Sequence, residues 1–271
     1  NGTGSTFATS SSGATTPAPV EGPLALPADR AALLQPDPAT GLSQLGFPKG
    51  WALPDNAADI VGVLVRYSQG DSTYATFRTA YQVNATDPEA VLNDWAQRFS
   101  DGLGLEVDRF PVQVSSDLGD SWSVSTIGDA EAGKPTLDVE VTQLAGAGAA
   151  LQVVVEYQTV DRTFPEVGYP ASVDPALPSF DGCTVNRIDI HLDGFVELTM
   201  PAEPPVYRLW WEGSCPASTF DGALAWAQAH SLDVASGTTG FGHQFTLYIC
   251  DQEVAIRHLH EVVQADVAAY R

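Results

Sequence analysis

Thr86–Leu103, TDPEAVLNDWAQRFSDGL, is the clearest helix in the chain, and a fainter copy of it follows later. Thr86 and Glu89 have the spacing of a capping box. Pro88 suits a first helical turn, where its missing N–H would have no partner, and Val91, Leu92, Trp95 and Phe99 share one stripe. Gly102 and Gly104 end it. The copy is Ser218–Leu232, STFDGALAWAQAHSL, in which Phe220, Ala223, Trp226, Ala227 and His230 share a face. Aligning Trp95-Ala96-Gln97 with Trp226-Ala227-Gln228 puts His230 at the place of Phe99. Strand-like segments flank both helices. The expected fold class is therefore α+β, with two related units, each an antiparallel sheet with one helix packed on a face.

In the first unit, residues 56–160, Ile60–Tyr67 and Tyr74–Val83 read as a hairpin turning at Gln69-Gly70-Asp71-Ser72. After the helix come Arg109–Ser115, Ser121–Ile127, Thr136–Leu144 and Ala150–Val160, four candidate strands of an antiparallel meander. Asp117–Asp120 and Gly146-Ala147-Gly148 supply turns. The second unit, residues 181–271, opens with Thr184–Leu192, turns at Asp193-Gly194, and continues through Phe195–Met200 and Val206–Trp211 into the second helix. Phe245–Cys250 follows as a strand. Leu259, Val262, Val263, Val267 and Tyr270 have helical spacing, which predicts a helix at the end of the chain. Residues 161–180, with Pro165, Pro170, Pro175 and Pro178, read as a semi-rigid linker. Residues 1–22 are a Ser/Thr/Gly-rich tract too poor in apolar surface to offset its ordering entropy, hence a flexible tether. Residues 23–55 are rich in proline and are expected to wrap over the first unit, with Phe47, Trp51 and Leu53 held in a groove.

The 271 residues carry 34 acidic against 12 basic side chains, a net charge of −22. That balance repels phosphate backbones and anionic lipid, so neither is an expected partner. No apolar run approaches the roughly 20 residues of a membrane helix. The cysteines are Cys183, Cys215 and Cys250, and none forms a CxxC pair. If the second unit is a meander through Phe195–Met200, Cys215 and Cys250 reach the same end of the sheet and Cys183 the other. The expected disulfide is Cys215–Cys250, with Cys183–Cys215 as its rival, and either implies export from a reducing cytoplasm.

No phosphate-cradling loop, dinucleotide fingerprint, HExxH, EF-hand or GxSxG elbow occurs, and no cofactor and no catalytic residue is assigned. His258 and His260, near Asp251 and Glu261, have metal-ligand spacing if they lie on a strand, where positions two apart face the same way. His243 with Ser236 or Thr238 is a candidate base–nucleophile pair. Asp189 and Glu197 would oppose each other across the Asp193-Gly194 hairpin. The most unusual local feature is Trp210-Trp211-Glu212: one indole should be core and the other exposed, and an exposed ring beside Tyr207 or Tyr248 would anchor a partner.

The polar tether, the proline-rich lead and the duplicated α+β units together resemble exported bacterial envelope lipoproteins of unassigned role. That resemblance implies a secreted protein, or one tethered to the outer face of a bacterial membrane through a lipid anchor preceding the chain. The function expected first is non-enzymatic binding of a protein or another envelope component through Trp210, Trp211, Tyr207 and Tyr248. Alternatives are an extracellular hydrolase with a site near His243 or His258, and a structural subunit of a larger assembly.

Overall fold

Alternating apolar residues in ten strands join edge to edge into one antiparallel sheet among the described residues. The computed structural model describes residues 38–53, 59–69, 73–108, 110–126, 134–146, 149–160, 164–165, 182–193, 206–229, 242–250 and 253–262. In chain order the elements are α1 (Pro38–Gln44), β1 (Ile60–Gln69), β2 (Thr73–Asn84), α2 (Pro88–Leu103), β3 (Val112–Ser116), β4 (Gly119–Ser125), β5 (Thr136–Leu144), β6 (Ala150–Val160), β7 (Thr184–Asp193), β8 (Val206–Cys215), α3 (Ala217–Ala229), β9 (Gly242–Cys250) and β10 (Glu253–Val262). The order across the sheet is β10-β9-β8-β7-β1-β2-β6-β5-β4-β3.

Register explains the core. Val65 faces Ile190 on one side and Phe77 on the other; Phe77 faces Tyr157, which faces Leu137. All five are buried, and the row belongs to one continuous apolar cluster. The same cluster takes Leu42 from α1, Leu92, Trp95, Phe99 and Leu103 from α2, and Phe220 and Ala223 from α3. The three described helices therefore share one face of the sheet.

Helix α2 begins as its sequence predicts, with one correction. The cap is Asp87, not Thr86: Asp87 is extended (φ −120°, ψ 95°) and its Oδ1 accepts the Ala90 N–H at 3.0 Å. Pro88 is the reason, because its ring fixes a helical φ and so makes it the first helical residue. Gly104, at φ 66°, closes the helix in the left-handed region.

The segment ahead of β1 straps onto this helix. Trp51 lies edge-on to Phe47 and to Phe99, with 4.9 Å between ring centroids in each case. Its Nε1 donates to the Tyr81 hydroxyl at 2.9 Å, Thr79 Oγ1 donates to the same oxygen at 2.8 Å, and that hydroxyl donates to the Ala52 carbonyl at 3.0 Å. Tyr67 likewise donates to the Leu45 carbonyl at 2.7 Å.

Four expectations are corrected. The two units do not own separate sheets: β1 and β7 pair, from Val63↔Leu192 to Ser68↔Arg187, and the sheet runs on undivided. Joining those two edges leaves neither with unpaired backbone groups. An antiparallel strand pair precedes a helix twice, β1–β2 before α2 and β7–β8 before α3, but the order of the remaining strands differs between the halves. β3–β6 run from the far edge inward to β2, whereas β9 and β10 run from β8 outward. Trp95 is buried, while Trp226 is half-buried at the cluster's margin.

The start of the predicted terminal helix is the second correction, while Val263, Val267 and Tyr270 lie outside the described residues. Leu259–Val262 is the end of β10, paired out to Val262↔Gly242, because the open edge of β9 offers a ladder that overrides local spacing. Third, the disulfide is Cys183–Cys215, not Cys215–Cys250. β8 pairs directly with β7, so Thr184 faces Ser214 and the two cysteines are the next pair along. Cys250 instead faces Arg208, seven positions down β8 from Cys215, which is roughly 23 Å at the rise of a strand. The bridge spans 32 positions, worth about 3–4 kcal/mol by the chain-entropy estimate. Fourth, Asp189 faces no carboxylate across a hairpin; its neighbours are Arg66 and Trp210. Glu197, the strand Phe195–Met200, the turns at Gly70–Ser72 and Gly194, most of the linker, His230, Ser236, Thr238 and Asp251 lie outside the described residues.

Candidate functional site

The helix-free face carries the polar half of each strand's alternation. In β7 that half is Arg187, Asp189 and His191, interleaved with buried Ile188, Ile190 and Leu192. Register sets Asp189 between Arg66 and Trp210, Arg187 between Ser68 and Glu212, and His191 between Leu64 and Arg208.

Asp189 is the centre of this group, with only 1% of its side chain exposed. Arg66 Nε donates to Oδ1 at 2.9 Å and to Oδ2 at 3.1 Å, and its Nη2 donates to Oδ2 at 2.8 Å. From the same strand, Arg187 Nε donates to Oδ1 at 3.2 Å and Nη2 to Oδ2 at 2.7 Å. His191 Nε2 stands 3.6 Å from Oδ2. Burial alone would raise the carboxyl's pKa. The donors from His191, Arg187 and Arg66 outweigh it and hold Asp189 well below the ordinary carboxylate range. Arg187 in turn lies 5.5 Å from the centroid of the Trp210 ring and 3.9 Å from Glu212, and it is pushed further toward its charged form chiefly by its hydrogen bond to Asp189. Next along the sheet, Arg78 and Glu156 approach to 3.7 Å.

Chemically this is a clamp. Both oxygens of Asp189 are taken by guanidinium donors, so the carboxylate is placed to hold charge and geometry instead of moving a proton. What it holds faces outward: Arg66, Arg187 and His191 are each about a quarter to a third exposed, and Trp210 is half-buried among them.

The four aromatic residues expected to form one patch are split by the register. Trp210 faces Asp189 and Tyr248, which puts both aromatic positions on the helix-free side. Trp211 faces Ile188 and Leu247, and Tyr207 faces Leu192, which assigns both to the helix side. Their positions lie on the opposite side of the strand from that of Trp210, because successive strand residues alternate faces. His258 and His260 fall in β10 opposite Thr246 and Gln244, two positions apart on one side of a strand. Among the described residues no group of three or more His, Cys, Asp or Glu is placed to hold a metal ion. Arg187-Ile188-Asp189-Ile190-His191, where charges of both signs alternate with isoleucine, marks a polar face on this strand but not the clamp, whose other guanidinium comes from Arg66 on β1.

An open pocket of about 650 Å³ lies apart from this group, between the end of β2 and the start of α2. Its carboxylates include Asp87, which caps α2, and Asp94, which pairs with Arg98 at 2.9 Å. No protein-family model, curated protein or solved structure matches this chain.

Proposed function

We propose that this chain is a non-enzymatic binding protein of the bacterial cell envelope, secreted or tethered to the outer face of the membrane. It takes a protein or another envelope component on the helix-free face around Trp210. The observation that carries this reading is the position of Arg187, which Asp189 clamps from one side while its guanidinium covers the Trp210 ring. An aromatic side chain held in place before a partner arrives loses little entropy on binding, and indoles beside arginines are the residues on which binding energy concentrates. The Cys183–Cys215 bridge supports the extracytoplasmic setting, since such bonds persist where thiols are not kept reduced. No helix among the described residues is long and apolar enough to cross a membrane. The matching order in the two halves, antiparallel strand pair then helix, supports their descent from one duplicated unit.

Co-sedimentation of the purified chain with isolated bacterial envelope fragments tests the binding role. Trp210→Ala is expected to lower the bound fraction at least tenfold while the far-UV circular dichroism stays native. Trp211→Ala, at a helix-side position, is expected to lower the unfolding midpoint and to leave binding by the folded fraction intact. Equal binding by wild type and Trp210→Ala would overturn the assignment of the face.

A further inference from the structure

Among the residues whose side-chain burial is described, the large hydrophobic side chains that stand exposed fall within one short stretch: Phe110 at 83%, Val112 at 62%, Val114 at 53% and Leu118 at 44%. The stretch is β3 and its flanks. Among the described residues β3 is the last strand of the sheet and pairs only with β4, and every residue of it is exposed. An edge strand presents a row of unpaired N–H and C=O groups, and soluble proteins commonly guard such an edge with charge. The opposite edge, β10, carries Glu253, Arg257 and Glu261 in its sequence. From Phe110 to Ser116, FPVQVSS, there is no charge at all.

The apolar residues are also ordered. Phe110, Val112 and Val114 alternate along the chain, and register puts Val112 opposite Ser123 and Val114 opposite Ser121, the side away from buried Trp122. Behind the serines, Ser123 faces Glu140 and Ser125 faces Asp138. Exposed Asp108 and Asp117 stand at the two ends of the strip. Residues 105–146 hold eight carboxylates against Arg109 and Lys134. The strip is seven strands from β8, roughly 34 Å at the usual strand spacing, so it is independent of the face around Trp210.

We propose that β3 is a docking edge for an extended segment of another protein, one that adds an eleventh strand to the sheet. Such a segment has apolar residues at alternate positions, to cover Phe110, Val112 and Val114, and lysine or arginine elsewhere along it, to meet the acids behind and beside the strip. Backbone pairing supplies affinity in this mode of recognition and alternate side chains supply selectivity. Charge decides against a second copy of the chain as the occupant. It would bring the same acids to the same edge, and each copy carries −22.

The test uses the whole chain and a fluorescein-labelled peptide of alternating valine and lysine. Two controls accompany it: alternating valine and glutamate, and a scrambled valine–lysine peptide. The alternating lysine peptide is expected to bind at least tenfold more tightly than either control. It should slow hydrogen exchange of the Val112–Ser116 amides and weaken as salt rises. Val114→Lys and the double change Val112→Ser with Val114→Ser are at exposed positions, so the fold survives, and each is expected to cut affinity at least tenfold. Equal affinity for the three peptides, or unchanged binding in both variants, would overturn the proposal. So would a dimer in sedimentation that Val114→Lys makes monomeric, since that outcome gives the edge to a second copy.

Discussion

Asp189 and Tyr81 show burial opposed by hydrogen bonds, with opposite results. At Tyr81 burial wins: it pushes the hydroxyl well above its usual range despite the bonds from Thr79 and Trp51. At Asp189 two guanidinium groups and His191 win, because charge-assisted donors are roughly twice as strong as neutral ones. A depressed carboxyl contributes stability in full above its unfolded value, about 3.9, and loses it as pH falls through the folded value. Asp189→Asn should therefore cost about 3 kcal/mol at neutral pH, the lower end for orphaning a buried partner, since Arg66 and Arg187 keep part of their water. In urea titrations the gap between wild type and variant should narrow progressively as pH falls below about 4. A gap undiminished at about pH 2 would show that some group other than this carboxylate carries the cluster. Alternation made the polar side of β7 readable in the sequence. The clamp was not readable, because Arg66 lies 123 positions away and nothing local announces it.

At the scale of elements, α2 was legible to within one residue and the strap across it only in part. Phe47, Trp51 and Leu53 could be read as apolar residues in need of cover, but the contact that seats them is between backbones. A Cβ added at Gly102 would stand 2.3 Å from the Gly50 carbonyl oxygen, and one added at Gly50, where φ is 91°, would stand 2.2 Å from the Gly102 oxygen. Intrinsic propensity favours Gly102→Ala by about 1 kcal/mol inside a helix. The close approach reverses that sign. We expect Gly102→Ala to destabilise by about 1–3 kcal/mol, as overpacking does, and to shift the fluorescence of Trp51 as the strap lifts from Phe99. A variant more stable than wild type in chemical denaturation would refute the contact. Tertiary pairing likewise decided Leu259–Val262, where helical spacing lost to the open ladder of β9.

For the whole molecule, the seam between the halves is the decisive feature. Val63, Val65, Ile190 and Leu192 are buried where β1 meets β7, and Arg66 reaches across that seam to Asp189. Two units sharing so continuous a core should unfold together. Urea curves followed by tryptophan fluorescence and by far-UV circular dichroism are expected to superimpose as one transition; two separated steps would restore independent units. Residue order by itself determined the α+β class, the places of most described strands, the main helix with its stops, and the acidic balance of the chain. These are local or summed properties of the chain. Only the tertiary structure decided that the sheet is single, that Cys183 and not Cys250 meets Cys215, that the position on the helix-free side is Trp210's, and that Phe110–Val114 stands at an edge. Each depends on which strands become neighbours, and edge pairing is chosen by the burial of faces that lie far apart in sequence.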